Sequence, residues 1–171
     1  FRKSISDSGV TWRLVGRYAM SDDVSLYASF ARGRRPDVIS TSAPAAPLGQ
    51  PRFNIVDAEV VDSYEAGAKG KLMDGRLYLS GAVFRYDYDN FATTFRQGAQ
   101  VVTLNAGKAK AYGFEGEARL QAGDYWTLFT TYAYNHARLE SGLRKGNHFR
   151  LSPDHSFSAG AAFSREALGG K

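Results

Sequence analysis

Cysteine is absent from the 171 residues of this chain, and this removes three classes of structure at once. A disulfide scaffold, a thiolate metal site and a cysteine nucleophile all need a thiol. Long apolar runs are also missing, since no stretch approaches the roughly 18 residues that a membrane-spanning helix requires. A transmembrane β-barrel is still compatible with the sequence, because its strands alternate apolar and polar residues.

Histidine is scarce, and this bears on metal sites. The three histidines are His136, His148 and His155, which lie far apart and have no cysteine to complete a ligand set. None follows another at the i, i+4 spacing of helical zinc sites. We therefore predict no metal site and interpret the histidines as surface residues.

Two further patterns resemble catalytic groups, and neither fits the chemistry. Asp154-His155-Ser156 contains the residue types of a hydrolase triad, but successive residues of a strand point to opposite sides of the sheet. Glu115 and Glu117 lie about 7 Å apart along a strand, and Arg119 on the same face favours a charge ladder over a glycosidase pair. The sequence therefore predicts no catalytic residue and no enzyme.

Basic charge is not concentrated anywhere in the chain. The net charge is +5, but 22 basic residues are interleaved with 17 acidic ones, and the largest basic cluster is Arg32, Arg34 and Arg35. Proteins that bind nucleic acid gather such charge on one face, so we predict no nucleic-acid partner. The run GAKGKL at 67–72 has neither the length nor the helix of a phosphate-binding loop, and we predict no cofactor.

Glycine and aromatic residues are abundant, with 18 Gly, 10 Tyr and 11 Phe against 5 Pro. This composition favours strands joined by tight turns. The clearest case is Asp62–Asn90, where two alternating arms flank a Met73-Asp74-Gly75 turn, since Asp-Gly between alternating runs is a strong hairpin signal. The first arm sets Tyr64 against Glu65 on the opposite side, which predicts one apolar face and one wet face.

The same alternation predicts about seven antiparallel strands in an up-and-down meander, which is an all-β fold. The second arm of the hairpin is expected to continue to about Phe95. The other predicted strands are Val10–Met20, Val24–Gly33, Val101–Gln121, Tyr125–Leu139 and Asp154–Arg165. Two polar stretches, Arg34–Val60 and Glu140–Ser152, predict long loops.

The connections between these strands follow a second pattern. Tight turns at 21–23, 73–75 and 122–124 alternate with longer connections, so one rim of a meander would carry short turns and the other long loops. Outer-membrane barrels have this layout. A soluble β-barrel or β-sandwich that binds a small ligand remains the alternative, because alternation does not say which face is wet.

Four segments carry a resemblance to a known family. They are VSLYASFARGRRPDV at 24–38, VDSYEAGAKGKLMDGRLYLSGAVFRYDYDNF at 61–91, NAGKAKAYGFEGEARL at 105–120 and GNHFRLSPDHSFSAGAAFS at 146–164. In this order they resemble the C-terminal half of TonB-dependent outer-membrane receptors. That family folds as a barrel of about 22 strands around an N-terminal plug, and it imports iron chelates, cobalamin or sugars with energy from an inner-membrane partner.

The resemblance implies that residues 1–171 are part of one β-barrel domain in the bacterial outer membrane, a fragment with no plug domain and no C-terminal closing strand. It implies energised uptake of a metal chelate of the siderophore kind or of another scarce nutrient. The expected partners are outer-membrane lipid, lipopolysaccharide and a small-molecule ligand such as a metal chelate. The energising partner would be reached only through the missing N-terminal region.

Two groups of residues are candidates for function. On the strands, the polar residues expected to face the barrel lumen are Glu65, Lys69, Lys71, Glu115, Glu117 and Arg119. In the loops, where binding groups concentrate, the candidates offer cations and rings to an anionic or aromatic ligand: Arg34, Arg35, Arg52, Phe53, Arg144, Lys145, His148 and Phe149.

Overall fold

The computed structural model describes residues 5–42, 52–97, 100–142 and 144–165. These residues form eleven strands: β1 Trp12–Ala19, β2 Val24–Arg35, β3 Val38–Ser42, β4 Arg52–Val56, β5 Glu59–Leu72, β6 Leu77–Asp89, β7 Ala92–Gln97, β8 Gln100–Asn105, β9 Ala109–Ala122, β10 Trp126–Leu139 and β11 His155–Phe163. Within the described ranges no helix occurs. None of these residues therefore belongs to a helix long and apolar enough to cross a membrane.

Seven of the strands form one antiparallel sheet in the order β1-β2-β5-β6-β9-β10-β11. Each strand of this sheet pairs with its neighbours in chain order, once two side hairpins are set apart. The side hairpins are β3-β4 and β7-β8. The predicted all-β meander of about seven strands is confirmed, and it corresponds to the main sheet.

The side hairpins correct the sequence prediction in two places. The predicted loop Arg34–Val60 contains β3 and β4, which pair from Val38 with Val56 to Ser42 with Arg52. The predicted strand Val101–Gln121 is interrupted at residues 106–108, and its two parts belong to β8 and β9.

The second correction has a local cause. Asn90 and Gly107 both adopt positive φ, at 54° and 95°, a conformation that a continuous strand does not contain. Phe91 N–H donates to the Gly107 carbonyl at 2.7 Å, and Ala106 N–H donates to the Phe91 carbonyl at 2.6 Å. These bonds close the base of the β7-β8 hairpin, so the chain leaves the main sheet at Asp89 and re-enters it at Ala109.

The three predicted tight turns lie at one end of the sheet, which we call the turn end. In the second of them, Met73, Asp74 and Gly75 all have positive φ, which suits glycine and is tolerated by aspartate. In the first, the Ser21 hydroxyl accepts hydrogen bonds from the N–H groups of Asp23 and Val24. The opposite end, which we call the loop end, carries both side hairpins and the 140–154 connection.

The turns step along the strands. Their last pairs are Ala19 with Ser25, Leu72 with Leu77, and Ala122 with Trp126. When residues are matched across the sheet through the intervening registers, the third turn lies about five residues further along the strand direction than the first. The two turns are about four strand spacings apart across the sheet. With about 3.3 Å per residue and about 4.8 Å between strands, these offsets give an angle of about 40°. If the turns lie on one rim of a barrel, the strands are therefore tilted by about 40° from the barrel axis. Transmembrane β-barrels have tilts of about 35–45°.

Among the described residues, most buried side chains lie near the loop end, and Ala82 is the exception in the middle of the sheet. Val56, Ala109, Ala111, Ala137 and Leu139 are 1–6% exposed. Ala109 pairs with Leu139, and Ala111 pairs with Ala137, so four of these residues share one face. The side hairpins and the 140–154 connection therefore accompany a small core at this end, while both faces of the sheet stay open toward the turn end.

Candidate functional site: the polar face and the loop end

The six strand residues predicted to face a lumen lie on one side of the sheet, which we call the polar face. The registers relate them through neighbours on the same side: Lys69 pairs with Ser80, and Ser80 pairs with Glu117. Glu117 and Arg119 form an ion pair of 3.7 Å. The Lys69 ammonium lies 5.6 Å from the centre of the Tyr27 ring.

This face is recessed near its middle. An open recess of about 530 Å³ lies between β2 and β11. It is lined by hydroxyl and carboxylate groups that include Ser80, Glu115, Glu117, Thr131 and Ser158. Its floor can hold water, ions or polar side chains of another segment. That the six residues face a lumen remains a prediction, which the shared side supports.

The opposite side, which we call the apolar face, exposes large hydrophobic side chains. Leu14, Val83 and Phe157 are 68%, 59% and 73% exposed. A soluble protein rarely leaves so many such groups uncovered over one contiguous surface. In this sheet they follow each strand at every second position, so this side is apolar from the turn end to the row of ion pairs near the loop end.

Aromatic rings mark the apolar face at two levels, as a diagonal band toward the loop end and as a ring pair on β10 and β11 at the turn end. Toward the loop end, Phe30 lies 4.4 Å from Trp12 and 4.6 Å from Tyr64 between ring centres, and Phe114 lies 5.6 Å from Tyr132. At the turn end, the rings of Trp126 and Phe163 lie 5.1 Å apart. Small and aliphatic residues such as Ala68, Leu79 and Ala118 fill the area between these two levels.

A row of ion pairs replaces the apolar residues where this face reaches the loop end. Arg32 binds both carboxylate oxygens of Asp62 at 2.6 Å. The row continues across the sheet through the pairs Arg85–Asp87 at 2.8 Å, Lys108–Asp89 at 3.3 Å, Lys110–Glu140 at 3.9 Å and Arg138–Asp154 at 3.3 Å. Arg85 pairs with Tyr64 and Tyr112, so rings and charges meet at this level, which marks the boundary of the apolar region.

The predicted loop cations are less available than their sequence positions suggest. Arg34 binds both oxygens of Asp7, and the hydrogen bond from Arg34 lowers the pKa of the Asp7 carboxyl below its usual value. Arg35 lies 3.4 Å from Glu59. Both guanidinium groups are therefore already neutralised by acids that lie at least 24 residues away in the chain.

The remaining loop candidates lie in two segments of the chain, β4 and residues 144–149. Arg52 and Phe53 lie in β4, where only their backbone is described, paired with Ser42 and Thr41. Arg144 and Lys145 are exposed residues of the turn at 142–147, where Lys145 N–H donates to the Gly142 carbonyl. The structure thus separates the group at β4 from the group at 144–149, and their role in ligand binding remains a prediction.

His148 and Phe149 are held by backbone pairing that the sequence did not suggest. Residues 146–149, which we call the strap, run antiparallel to the end of β10. Gly146 N–H donates to the Leu139 carbonyl at 2.7 Å, Leu139 N–H to Asn147 at 3.0 Å, and Phe149 N–H to Ala137 at 3.2 Å. The strap therefore lies along the same edge of β10 as β11, which pairs with the earlier residues Trp126–Tyr134.

The strap places Phe149 in a column of rings on the polar face. Phe149 stacks on Phe91 with ring centres 4.5 Å apart and planes 19° apart, and it meets Tyr88 edge-on at 5.9 Å. From Tyr88 the column continues through Tyr86 to Phe84 at spacings of 6.5 Å and 5.4 Å. Sequence reasoning identified Phe149 but missed Phe91 and Tyr88 as its partners. The aromatic residues at even positions of β6, Phe84, Tyr86 and Tyr88, were the sequence signal that could have indicated a column of rings on this face.

Asn105 joins the two side hairpins. Its amide oxygen accepts from Asp57 N–H at 2.8 Å, and its amide nitrogen donates to the carbonyls of Asp57 and Asn90 at 3.0 Å and 2.8 Å. One side chain therefore links the end of β4 to the entry into β7. The loop end is a connected structure in these residues rather than a set of separate loops.

The described residues also bear on the catalytic and metal patterns. His155 shares a 2.8 Å hydrogen bond through Nδ1 with the Tyr132 hydroxyl on the neighbouring strand. Its ring is thus engaged by a tyrosine rather than by Asp154 or Ser156. In the part of the chain that the structure describes, histidine and carboxylate residues form no cluster suited to a metal ion.

Comparison with known proteins extends this description. A family model described as TonB dependent receptor-like, beta-barrel, matches residues 1–170. A probable TonB-dependent receptor, BfrD, from Bordetella pertussis is 26% identical over 161 residues, which cover 92% of this chain and 21% of the relative. A ferric-pyoverdine 358 receptor from Pseudomonas putida is 27% identical over 141 residues, which cover 80% of this chain and 15% of the relative.

Solved structures show the same fold at low identity. The ferric yersiniabactin uptake receptor FyuA from Yersinia pestis superposes with a TM-score of 0.66 at 19% identity, over 87% of this chain and 22% of that one. The copper transporter OprC superposes with a TM-score of 0.67 at 17% identity, over 90% and 24%. The chain spans about a fifth of the length of the relatives it matches.

Proposed function

Because this chain belongs to the family of TonB-dependent receptor-like β-barrels of the bacterial outer membrane, we propose that it forms part of the wall of a receptor that takes up a metal chelate. Members of this family are transporters rather than enzymes. The proposal places the apolar face against lipid, the polar face toward the lumen and the loop end outside the cell.

One observation carries this proposal: two opposite faces of one sheet differ in chemistry, and the apolar face is bounded by aromatic rings. Strands of a transmembrane barrel need an outward apolar band about 25 Å tall with aromatic girdles at both interfaces. The diagonal run of the loop-end band agrees with strands tilted by about 40°. The ion-pair row beginning at Arg32–Asp62 would lie at the level of the lipid headgroups, where charge is tolerated.

The soluble alternative has less support. A soluble barrel or sandwich would turn its apolar face inward and cover it, whereas Leu14, Val83 and Phe157 are all more than half exposed. The largest buried side chains instead lie near the loop end. An interior that holds a small ligand on the apolar side is therefore not supported by the packing of the described residues.

The ligand site of the receptor would include the loop end of the polar face. There the rings of Tyr88 and Phe91 offer flat apolar surface, on which Phe149 packs in this structure, and the exposed residues Arg144 and Lys145 offer cations nearby in the chain. The other proposed partners are outer-membrane lipid and lipopolysaccharide along the apolar face. An energising inner-membrane protein would act through a segment outside this chain.

Uptake measurements test the proposal. Cells that carry the full receptor should accumulate a radiolabelled ferric chelate from a panel of siderophores, and cells that lack it should not. A protonophore that collapses the inner-membrane potential should abolish accumulation while leaving surface binding intact. Accumulation that is equal in both strains for every chelate and metal complex in the panel would contradict the proposal.

A further inference from the structure

Phe149 belongs to the strap, yet its ring fills a slot formed where β6 passes into the β7-β8 hairpin. The slot is formed by Phe91 and Tyr88 on the polar face, and Phe149 enters it by stacking on Phe91. A stacked ring at 4.5 Å is the geometry that a flat aromatic group of a ligand would also adopt. In this structure, the slot between Phe91 and Tyr88 is therefore filled by Phe149 of the strap.

The strap is anchored on its other side by charge. Because side chains alternate along an extended segment, His148 points to the apolar face while Phe149 points to the polar face. Arg138 donates to both carboxylate oxygens of Asp154 at 3.4 Å and 3.3 Å and also approaches the His148 ring nitrogen. His148 Nδ1 lies 3.5 Å from the same carboxylate. We call Arg138, His148 and Asp154 the latch.

The latch joins the two ends of the 140–154 connection. Arg138 is the last but one residue of β10, His148 lies in the strap, and Asp154 immediately precedes β11. The strap makes three backbone hydrogen bonds with β10, and its residues 146–148 are exposed. A short segment with few backbone bonds and exposed side chains opens at low cost compared with the sheet, so we expect the ion-pair contacts of the latch to contribute to its closed population.

We propose that the strap is a removable cover, whose Phe149 occupies an aromatic slot in the ligand-free chain and gives it up to a ligand that carries a flat aromatic group. This rests on the proposed function for the identity of the ligand, but the cover and its latch are properties of the described residues alone. The latch residues are positioning residues, because they act on the slot through the strap.

Labelling of a buried position tests the cover directly. Ala137 is 2% exposed and lies beside Phe149 in the strap pairing, and the chain has no native cysteine. In the full receptor in intact cells, Ala137→Cys should react slowly with a membrane-impermeant maleimide. Arg138→Gln should raise that rate about tenfold or more, as expected for about 1.4 kcal/mol lost from the closed state.

Two further variants control this measurement. Asp154→Asn breaks the same ion pair from the other side and should raise the rate likewise, even if Arg138→Gln fails to reach the membrane. Arg85→Gln breaks the Arg85–Asp87 pair on the same face but does not touch the strap, and it should leave the rate unchanged. Equal rates in the latch variants and in Arg85→Gln would overturn the cover.

Binding of two ferric complexes tests the slot. Phe149→Ala should bind the iron(III) complex of 2,3-dihydroxybenzoate at least threefold more tightly than the parent receptor does, because the slot is then vacant. Its affinity for the iron(III) complex of acetohydroxamate, which has no ring, should not change. Unchanged, weaker or undetectable binding of the dihydroxybenzoate complex to the variant would overturn the slot. Neither assay needs uptake, so failure of transport alone would count against the proposed function and not against the cover.

Discussion

An arginine placed on the apolar face should reveal whether that face meets lipid. Val83 lies midway along β6, is 59% exposed, and pairs with Ala66 and Phe114 on the same side. Because the side chain is already largely uncovered, its replacement removes little packing. Val83→Arg therefore isolates the cost of moving a charge into the surroundings of the apolar face.

The expected cost follows from the position of Val83. An arginine on the lipid face of a transmembrane barrel costs about 2–4 kcal/mol at the bilayer midplane and about 0–1 kcal/mol near the interfaces. Val83 pairs with Phe114 of the loop-end aromatic band and lies two residues from Arg85 of the ion-pair row, so the expected cost lies between these limits, at about 1–2 kcal/mol. In a domain of the usual stability of about 5–15 kcal/mol, this loss moves the denaturant midpoint measurably.

The assay is equilibrium unfolding of the full receptor in lipid vesicles, followed by tryptophan fluorescence. Ser80→Arg is the matched control, since it lies on the polar face of the same strand and opposite Glu117. We expect Val83→Arg to lose about 1–2 kcal/mol in vesicles and less in short-chain detergent, with Ser80→Arg near neutral. A loss that is equal in vesicles and detergent would refute the reasoning, because it would indicate a protein core rather than lipid.

Three further predictions concern single contacts. Gly113→Ala should cost about 1–3 kcal/mol, because its Cβ would lie 1.8 Å from a backbone oxygen of β10, whereas Gly116→Ala, with 3.7 Å to its nearest atom, should be tolerated; denaturant unfolding compares them. The hydrogen bond from Arg138 lowers the pKa of the Asp154 carboxyl. The ion pair therefore stabilises the fold fully at pH values above the pKa of Asp154 in the unfolded chain, and this stabilisation is lost as the pH falls through the lowered pKa of the folded state. Asp154→Asn should flatten the acid limb of the unfolding profile. Asn105→Ala should speed hydrogen exchange of the Asp57 N–H, because this group donates to the Asn105 side chain in the native chain.

The sequence predicted the regular part of the fold well, because each strand carries its own alternation. The hairpin around Met73-Asp74-Gly75 was predicted with its turn, and β6 ends at Asp89 rather than near Phe95. The β7-β8 hairpin was missed because a strand that leaves the sheet keeps the same alternation as one that stays, whereas β3 and β4 were missed because the polar stretch Arg34–Val60 was interpreted as a loop. Only the positive φ values of Asn90 and Gly107 mark the departure, and these residue types also occur within strands.

The loop end was harder to predict for a different reason. Arg34 looked like a free cation, but Asp7 neutralises it from 27 residues away. Phe149 was predicted to offer its ring to a ligand, but its ring stacks on Phe91, which lies in a strand connection much earlier in the chain. Such pairings depend on where strands place distant residues, and no local pattern in the sequence encodes them.

The orientation of the two faces is the central claim, and site-directed spin labelling along β9 tests it most directly. Single cysteines at positions 112–120 of the full receptor in outer-membrane vesicles would carry the label, and collisions with oxygen and with a water-soluble nickel complex would be measured. We predict high oxygen and low nickel accessibility at Tyr112, Phe114 and Leu120, and low oxygen accessibility at Glu115, Glu117 and Arg119. Accessibility without a two-residue period, or with the opposite parity, would contradict the account.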